Sequence, residues 1–163
     1  MGSKWRSFRS PRISLAVQQG HMHAVWPELE SRIERGMLII RGRVHPSPLT
    51  ETYTMRLTYR LGGAPQLHVV SPKLERRPGE PDAPIPHTYN SSTPGSERPC
   101  VYYPDGREWT PAMLLATTIM PWLLAWLVDY ELWRATGQWF GGGIAHGGRE
   151  RRDEPSPKDE EAA

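Results

Sequence analysis

Residues 50–61 alternate strictly between apolar and polar side chains, and this segment constrains the fold more than any other. Tyr53, Met55, Leu57 and Tyr59 fall on one side of an extended chain, and threonines and arginines fall on the other. A period of two is typical of a strand that packs one face on a core and leaves the other in water. We therefore predict an antiparallel sheet with helices packed on one face.

Two further strands and a preceding helix are predicted around this segment. Residues 37–44 begin with four consecutive apolar side chains, and residues 65–70 follow a Gly62-Gly63 pair that is typical of a hairpin turn. Upstream, residues 13–35 carry apolar side chains at helical spacing, which predicts a helix in one or two pieces that Gly36 ends. Its apolar face consists of Met22, Val25, Trp26, Leu29 and Ile33.

Residues 109–136 give the clearest helical pattern. Thr110 is the predicted N-cap, Pro111 suits the first helical position, Pro121 is expected to kink the helix, and Gly137 ends it. Residues 110–128 are a run of 19 without a charge, close to the roughly 20 that a spanning helix needs. The internal proline and a mean hydropathy of −0.60 favour a buried helix, and a membrane anchor is kept as a rival interpretation. The order of elements predicts an α+β domain.

The composition fits one small domain with unstructured ends. The chain has 163 residues, with 20 basic and 18 acidic side chains and a net charge of +2, so its charge gives no argument for nucleic-acid binding. We expect a disordered basic segment at 1–12, a domain at 13–146 and a disordered charged tail at 147–163. One cysteine allows no internal disulfide, and no apolar run follows the basic start, so we expect a cytoplasmic protein.

A long proline-rich loop precedes the single cysteine, Cys100. Residues 71–98 show no periodicity, and loops of this length are often functional. A lone cysteine is more often a small buried hydrophobe than a nucleophile. His87 and Asn90 lie in the same loop and could stabilise an oxyanion beside the sulfur, or simply stabilise turns. No zinc-ligand spacing, P-loop or dinucleotide motif is present, so we predict no metal and no cofactor.

Residues 100–111, Cys-Val-Tyr-Tyr-Pro-Asp-Gly-Arg-Glu-Trp-Thr-Pro, resemble the active-site segment of bacterial ubiquitin-conjugating-like proteins of type II CBASS anti-phage systems. The resemblance covers about residues 35–146. It implies a UBC-like fold with an N-terminal helix, an antiparallel meander sheet, a long active-site loop and C-terminal helices. Its further motifs are Pro121-Trp122-Leu123, Tyr130-Glu131-Leu132-Trp133, Thr136-Gly137-Gln138-Trp139 and Gly141-Gly142-Gly143.

The resemblance also implies a chemistry. In that family a cysteine accepts the C-terminal carboxyl of a cGAS-like nucleotidyltransferase as a thioester, and the acyl group then passes to an amine. Cys100 matches the nucleophile, and Pro86-His87-Thr88-Tyr89 is similar to the His-Pro-Asn segment of eukaryotic ubiquitin-conjugating enzymes. His87 and Asn90 are therefore expected to support catalysis. An activating enzyme is a candidate partner, and the sequence leaves open whether one is needed. A membrane and nucleic acid are not expected partners. The alternative is a catalytically inactive UBC-fold module that only binds the nucleotidyltransferase.

Overall fold

The structure is a computed structural model, and it describes residues 11–103 and 107–141. Two helices and a four-stranded sheet form an α+β domain. The predicted charged tail at 147–163 lies outside the described residues, as does most of the predicted basic N-terminus. The elements are α1 (Leu15–Val25), β1 (Glu30–Glu34), β2 (Met37–Val44), β3 (Tyr53–Arg60), β4 (Gln66–Ser71), β5 (Thr88–Tyr89), β6 (Arg98–Pro99), a 3-10 turn (Leu115–Thr117) and α2 (Ile119–Thr136).

The main sheet is an antiparallel meander in the order β1-β2-β3-β4. The prediction for its central strands is confirmed. Tyr53, Met55, Leu57 and Tyr59 of β3 are all at most 2% exposed, while the polar residues between them are half-buried or exposed. One face of the sheet therefore lies on the core, and the other faces solvent.

The predicted helix over 13–35 is wrong beyond Val25, where α1 ends. The chain instead forms β1, which pairs with β2 through a two-residue turn at Arg35 and Gly36. Both turn residues have positive φ, 48° and 71°, as a type I′ hairpin requires. Gly36 is thus a hairpin residue and not a helix stop. Ile33 fitted the helical spacing but is exposed on an edge strand.

Side-chain hydrogen bonds fasten α1 to the segment that precedes α2. Gln18 is fully buried, and its amide donates to the carbonyl of Met113 at 2.8 Å and accepts from the N–H of Leu115 at 2.9 Å. The Trp26 indole donates to the carbonyl of Ala116 at 2.9 Å. These bonds satisfy backbone groups of an irregular segment, which would be costly to bury unpaired.

The C-terminal helix begins later than predicted. α2 starts at Ile119, so Thr110 does not cap it, and Pro121 lies in its first turn, where a missing N–H costs nothing, and does not kink it. The predicted end is confirmed, since Gly137 adopts φ 81° and its N–H donates to the carbonyl of Trp133. In 11–103 and 107–141, neither helix combines the length and apolarity needed to cross a bilayer.

Two glycines give a matched test of the packing. A Cβ on Gly42 of β2 would lie 2.5 Å from Leu29 Cδ2 and 3.3 Å from Leu29 Cα, whereas one on Gly20 of α1 would meet nothing within 4 Å. We expect Gly42→Ala to lower the free energy of unfolding by about 1–3 kcal/mol through overpacking. Gly20→Ala should raise it by about 0.5–1 kcal/mol through helix propensity. Urea unfolding measures both, and equal effects would contradict the packing described.

Candidate active site

A short hairpin at the end of the long loop carries the cysteine. β5 pairs antiparallel with β6, with Tyr89 opposite Arg98. Cys100 follows β6 directly, and its N–H donates to the carbonyl of His87 at 2.9 Å, so the ladder continues by one step. The structure therefore brings His87 and Cys100 opposite each other across the hairpin.

The turn of this hairpin holds Asn90. Its φ is 59°, its carbonyl accepts from the N–H of Thr93 at 3.0 Å, and its side-chain amide donates to the carbonyl of Ser96 at 3.4 Å. Behind the turn, the buried Glu97 carboxylate lies 3.7 Å from the Arg76 guanidinium. Asn90 stands three ladder steps from His87, about 10 Å along a strand. The structure thus places Asn90 in the turn and not beside Cys100.

The Cys100 thiol is half-buried between two tyrosines. Its Sγ lies 3.4 Å from the carbonyl oxygen of Tyr102, to which it donates, and it is hydrogen-bonded to the Tyr89 hydroxyl. Burial raises the pKa of Cys100, and the Tyr89 hydrogen bond acts in the opposite direction. Burial and the bond to Cys100 also raise the pKa of Tyr89, so this hydroxyl stays protonated. The site therefore holds a thiol with a hydroxyl donor ready for the thiolate.

The backbone of His87 is held from two sides. Its φ is 50°, and its carbonyl oxygen accepts from the Cys100 N–H and from the Trp126 indole N–H, each at 2.9 Å. Its imidazole lies against the Trp139 ring, with centroids 4.8 Å apart. Both indoles come from the α2 region, so the helix and its exit fix the position and orientation of His87.

Asp129 of α2 is a carboxylate that interacts with His87. Burial raises the pKa of Asp129, and the charge on His87 opposes that rise, so the two groups interact electrostatically. The chain returns past them at Gly141, where a Cβ would collide with Asp129 Oδ2 and lie 2.9 Å from Trp139 Nε1. A larger residue here would have to displace the Asp129 and Trp139 side chains. The hairpin and α2 thus bring a thiol, a hydroxyl, an imidazole and a carboxylate into one region.

The family model described as type II CBASS E2 protein matches residues 18–147. The chain belongs to this family. The match spans most of α1, the whole sheet, the hairpin with Cys100, and α2. A comparison with curated proteins finds no match. Membership indicates an E2-like role for this CBASS E2 protein in antiviral defence, together with other components of a CBASS system.

Several residues of this CBASS E2 site escaped the sequence analysis. Asp129 is the first charge after the uncharged run 110–128, and an acid in a buried helix is a signal that could have identified it. Tyr89 and Trp126 gave no comparable signal, because their contacts with the loop are tertiary. Among the described residues, no group of three or more His, Cys, Asp or Glu side chains is arranged to hold a metal ion.

Tyr89→Phe tests the hydroxyl donor of the CBASS E2 site. The hydrogen bond favours the thiolate, so its loss should raise the pKa of Cys100 further. We expect iodoacetamide to alkylate this variant about three- to tenfold more slowly at pH 8, with the pH–rate curve displaced upward. Tyr59→Phe is the control, since the Tyr59 hydroxyl accepts from the N–H of Gly62 at the β3–β4 turn. Identical pH–rate curves for Tyr89→Phe and the wild type would show that the Tyr89 hydroxyl does not stabilise the thiolate.

Proposed function

We propose that this CBASS E2 protein is a cysteine-thioester acyltransferase. Cys100 accepts the C-terminal carboxyl of a cGAS-like nucleotidyltransferase and passes it to an amine, which primes anti-phage signalling. The observation that carries the proposal is the half-exposed Cys100 thiol, hydrogen-bonded to Tyr89 and opposite His87 on one hairpin. The order of helix, meander sheet, cysteine hairpin and helix supports a UBC-like domain, and a reduced thiol fits the cytoplasm.

The first step forms the thioester. A free carboxylate does not react with a thiol, so the carboxyl must arrive activated, and a separate activating enzyme would supply it as an adenylate or a thioester. The Cys100 thiolate attacks the carbonyl carbon, the C–S bond forms, and AMP or the donor thiol leaves. The Tyr89 hydroxyl, which already bonds the sulfur, is well positioned to donate to the developing oxyanion.

The second step discharges the thioester. An amine attacks the same carbonyl carbon, the amide bond forms, and Cys100 returns as a thiol. We propose that His87 accepts the proton of the attacking nucleophile or donates to the oxyanion, with Asp129 and Trp139 holding the imidazole in place. Asn90 supports the step indirectly, because its side chain closes the turn that aligns β5 with β6.

The competing function is an inactive module that only binds the nucleotidyltransferase. The accessible part of the Cys100 side chain favours catalysis, since an inert structural cysteine is normally fully buried. The experiment mixes the purified protein with the nucleotidyltransferase and the activating enzyme of its CBASS system, and measures intact mass with and without reductant. A reductant-sensitive adduct with the summed mass less one water is expected. A stable complex without that adduct would favour the inactive module.

A further inference from the structure

The solvent-facing side of the sheet carries a band of arginines. Arg41 of β2 lies opposite Arg56 of β3, and Arg56 lies opposite His68 of β4, so these three residues form one row across three strands. Arg43 stands two residues along β2 from Arg41. These arginines are exposed, and they alternate along their strands with side chains of the buried core.

The charge of this row is positive at its centre. Glu30 of β1 lies opposite Arg41, but Arg56 lies between Arg41 and His68 and has no acidic residue opposite it. In the described ranges 11–103 and 107–141, Arg41, Arg43 and Arg56 form no ion pair, whereas Arg32 at the β1 edge pairs with Glu34 at 3.3 Å. Like charges directly opposite each other on a sheet are destabilising. An anionic partner would relieve this repulsion between Arg41 and Arg56.

The row leads to the reactive cysteine. β6 packs against β4, and the charges of Arg56 and Arg98, after burial, lower the pKa of His68 between them. His68 Nδ1 is buried, with no hydrogen-bond partner among the residues described. The Arg98 guanidinium lies over the Tyr89 ring, 5.4 Å from its centroid, and Tyr89 bonds Cys100. The arginines thus continue from the open sheet face to the hairpin that bears the thiol.

We propose that the basic row, defined as Arg41, Arg56 and Arg98, binds an acidic extended segment of the acyl-donor protein just before its C-terminus. The inference rests on the proposed function and adds the chemistry by which the donor is recognised. Two strand spacings of about 4.8 Å separate β2 from β4, which an extended peptide crosses in about three residues. Acidic residues near the donor's C-terminus would then lie on the row while the last carboxyl reaches Cys100.

A peptide fits this row better than a nucleic acid does. The row presents one arginine from each of β2, β3 and β6, and the guanidinium groups can bind carboxylates in bidentate geometry, as they can phosphates. The net charge of +2 gives no broad basic surface for a phosphate backbone. The row also ends at the thiol that a peptide C-terminus must reach.

The binding experiment uses the full-length Cys100→Ala protein, so no covalent step interferes. Fluorescence anisotropy follows a labelled 12-residue peptide of alternating Glu and Gly, a matched Gln–Gly peptide, and a 12-nucleotide single-stranded DNA. We expect the Glu peptide to bind in a salt-sensitive way and the Gln peptide not to bind. The further substitutions Arg41→Glu and Arg56→Glu, made together, should weaken binding of the Glu peptide about tenfold or more. Lys73→Glu is the control, because it reverses the charge of an exposed residue after β4. It should leave the affinity for the Glu peptide unchanged.

Two results would overturn the inference. One is equal weakening by Arg56→Glu and Lys73→Glu, which would show that only total charge matters. The other is DNA binding more tightly than the Glu peptide, which would assign the row to nucleic acid. Circular dichroism verifies that the variants fold.

A parallel assay keeps the inference separate from the proposed function. With Cys100 restored, the Arg41→Glu/Arg56→Glu protein should form the adduct with the nucleotidyltransferase about tenfold more slowly at subsaturating concentration. A wild-type rate would remove the row from donor recognition and leave the transferase proposal intact. If the wild-type protein itself forms no adduct, the proposed function fails, and the peptide titration still decides whether the row binds acidic segments.

Discussion

Cys100→Ala is expected to eliminate every covalent adduct with the nucleotidyltransferase, because Cys100 is the only thiol in the chain. Cys100→Ser keeps the size of the side chain but supplies a far weaker nucleophile. It should abolish transfer, and any adduct that forms would be an oxyester that resists thiol reductant and reacts more slowly with amines. Non-reducing gels of the mixed proteins, run with and without reductant, measure both variants.

The control for this experiment is noncovalent binding. Neither substitution alters the exposed arginines of the sheet, so the complex with the nucleotidyltransferase should persist at wild-type affinity. An adduct that survives in Cys100→Ala, or full anti-phage protection by that variant, would disprove the thioester mechanism. Retained binding with lost protection would instead tie protection to the covalent step.

His87→Ala should slow transfer by on the order of 100-fold, the usual cost of removing one donor to a developing oxyanion. The hairpin should survive, because the bonds from Cys100 and Trp126 both end on the backbone carbonyl of His87 and not on its ring. His87→Asn is a second variant that suits the positive φ, since asparagine tolerates this conformation better than most residues. Discharge of a preformed thioester to free lysine, measured in a single turnover, gives the rate directly.

Asp129→Asn separates positioning from a general loss of structure. It keeps the shape of the side chain but removes the charge that interacts with His87. We expect a smaller loss than for His87→Ala, and no additional loss in the double variant, since both changes act through the same imidazole. Normal discharge by His87→Ala would refute this assignment and leave Tyr89 as the hydroxyl donor at the sulfur.

The central strands could be predicted because their pattern is local. The alternation in β3 has only one extended interpretation, and Gly137 is a helix stop that needs no partner. β1 could not be predicted in this way. Its residues are mostly polar and exposed, and Ile33 and Leu29 also fit a helical period, so only pairing with β2 makes the segment a strand. The positive φ values at Arg35 and Gly36 identify the hairpin turn, but backbone angles cannot be read from the sequence.

The predicted start of α2 was wrong for a related reason. Thr110 and Pro111 form a good helix-start pattern, but residues 110–118 form turns because Gln18 and Trp26 of the first helical region bind their backbone groups. A distant partner overrode the local preference.

The candidate site also contains residues that the sequence predicted and residues that only the structure shows. Cys100 and His87 were identified through the family resemblance, and the structure brings them together on one hairpin. The resemblance included Tyr89 in a matched segment but gave no role to Tyr89 or Asp129, and Asn90 lies in the turn of the hairpin. These positions depend on the pairing of β5 with β6 and on the packing of α2, which no short motif encodes.

One carbonyl oxygen links the reactive cysteine mechanically to the long helix. The His87 oxygen receives the Cys100 amide from one side and the Trp126 indole from the other. A displacement of α2 at Trp126 would therefore reach the main chain of Cys100 through this shared acceptor. A protein bound to α2, or a packing defect in it, would then change the position of the Cys100 thiol.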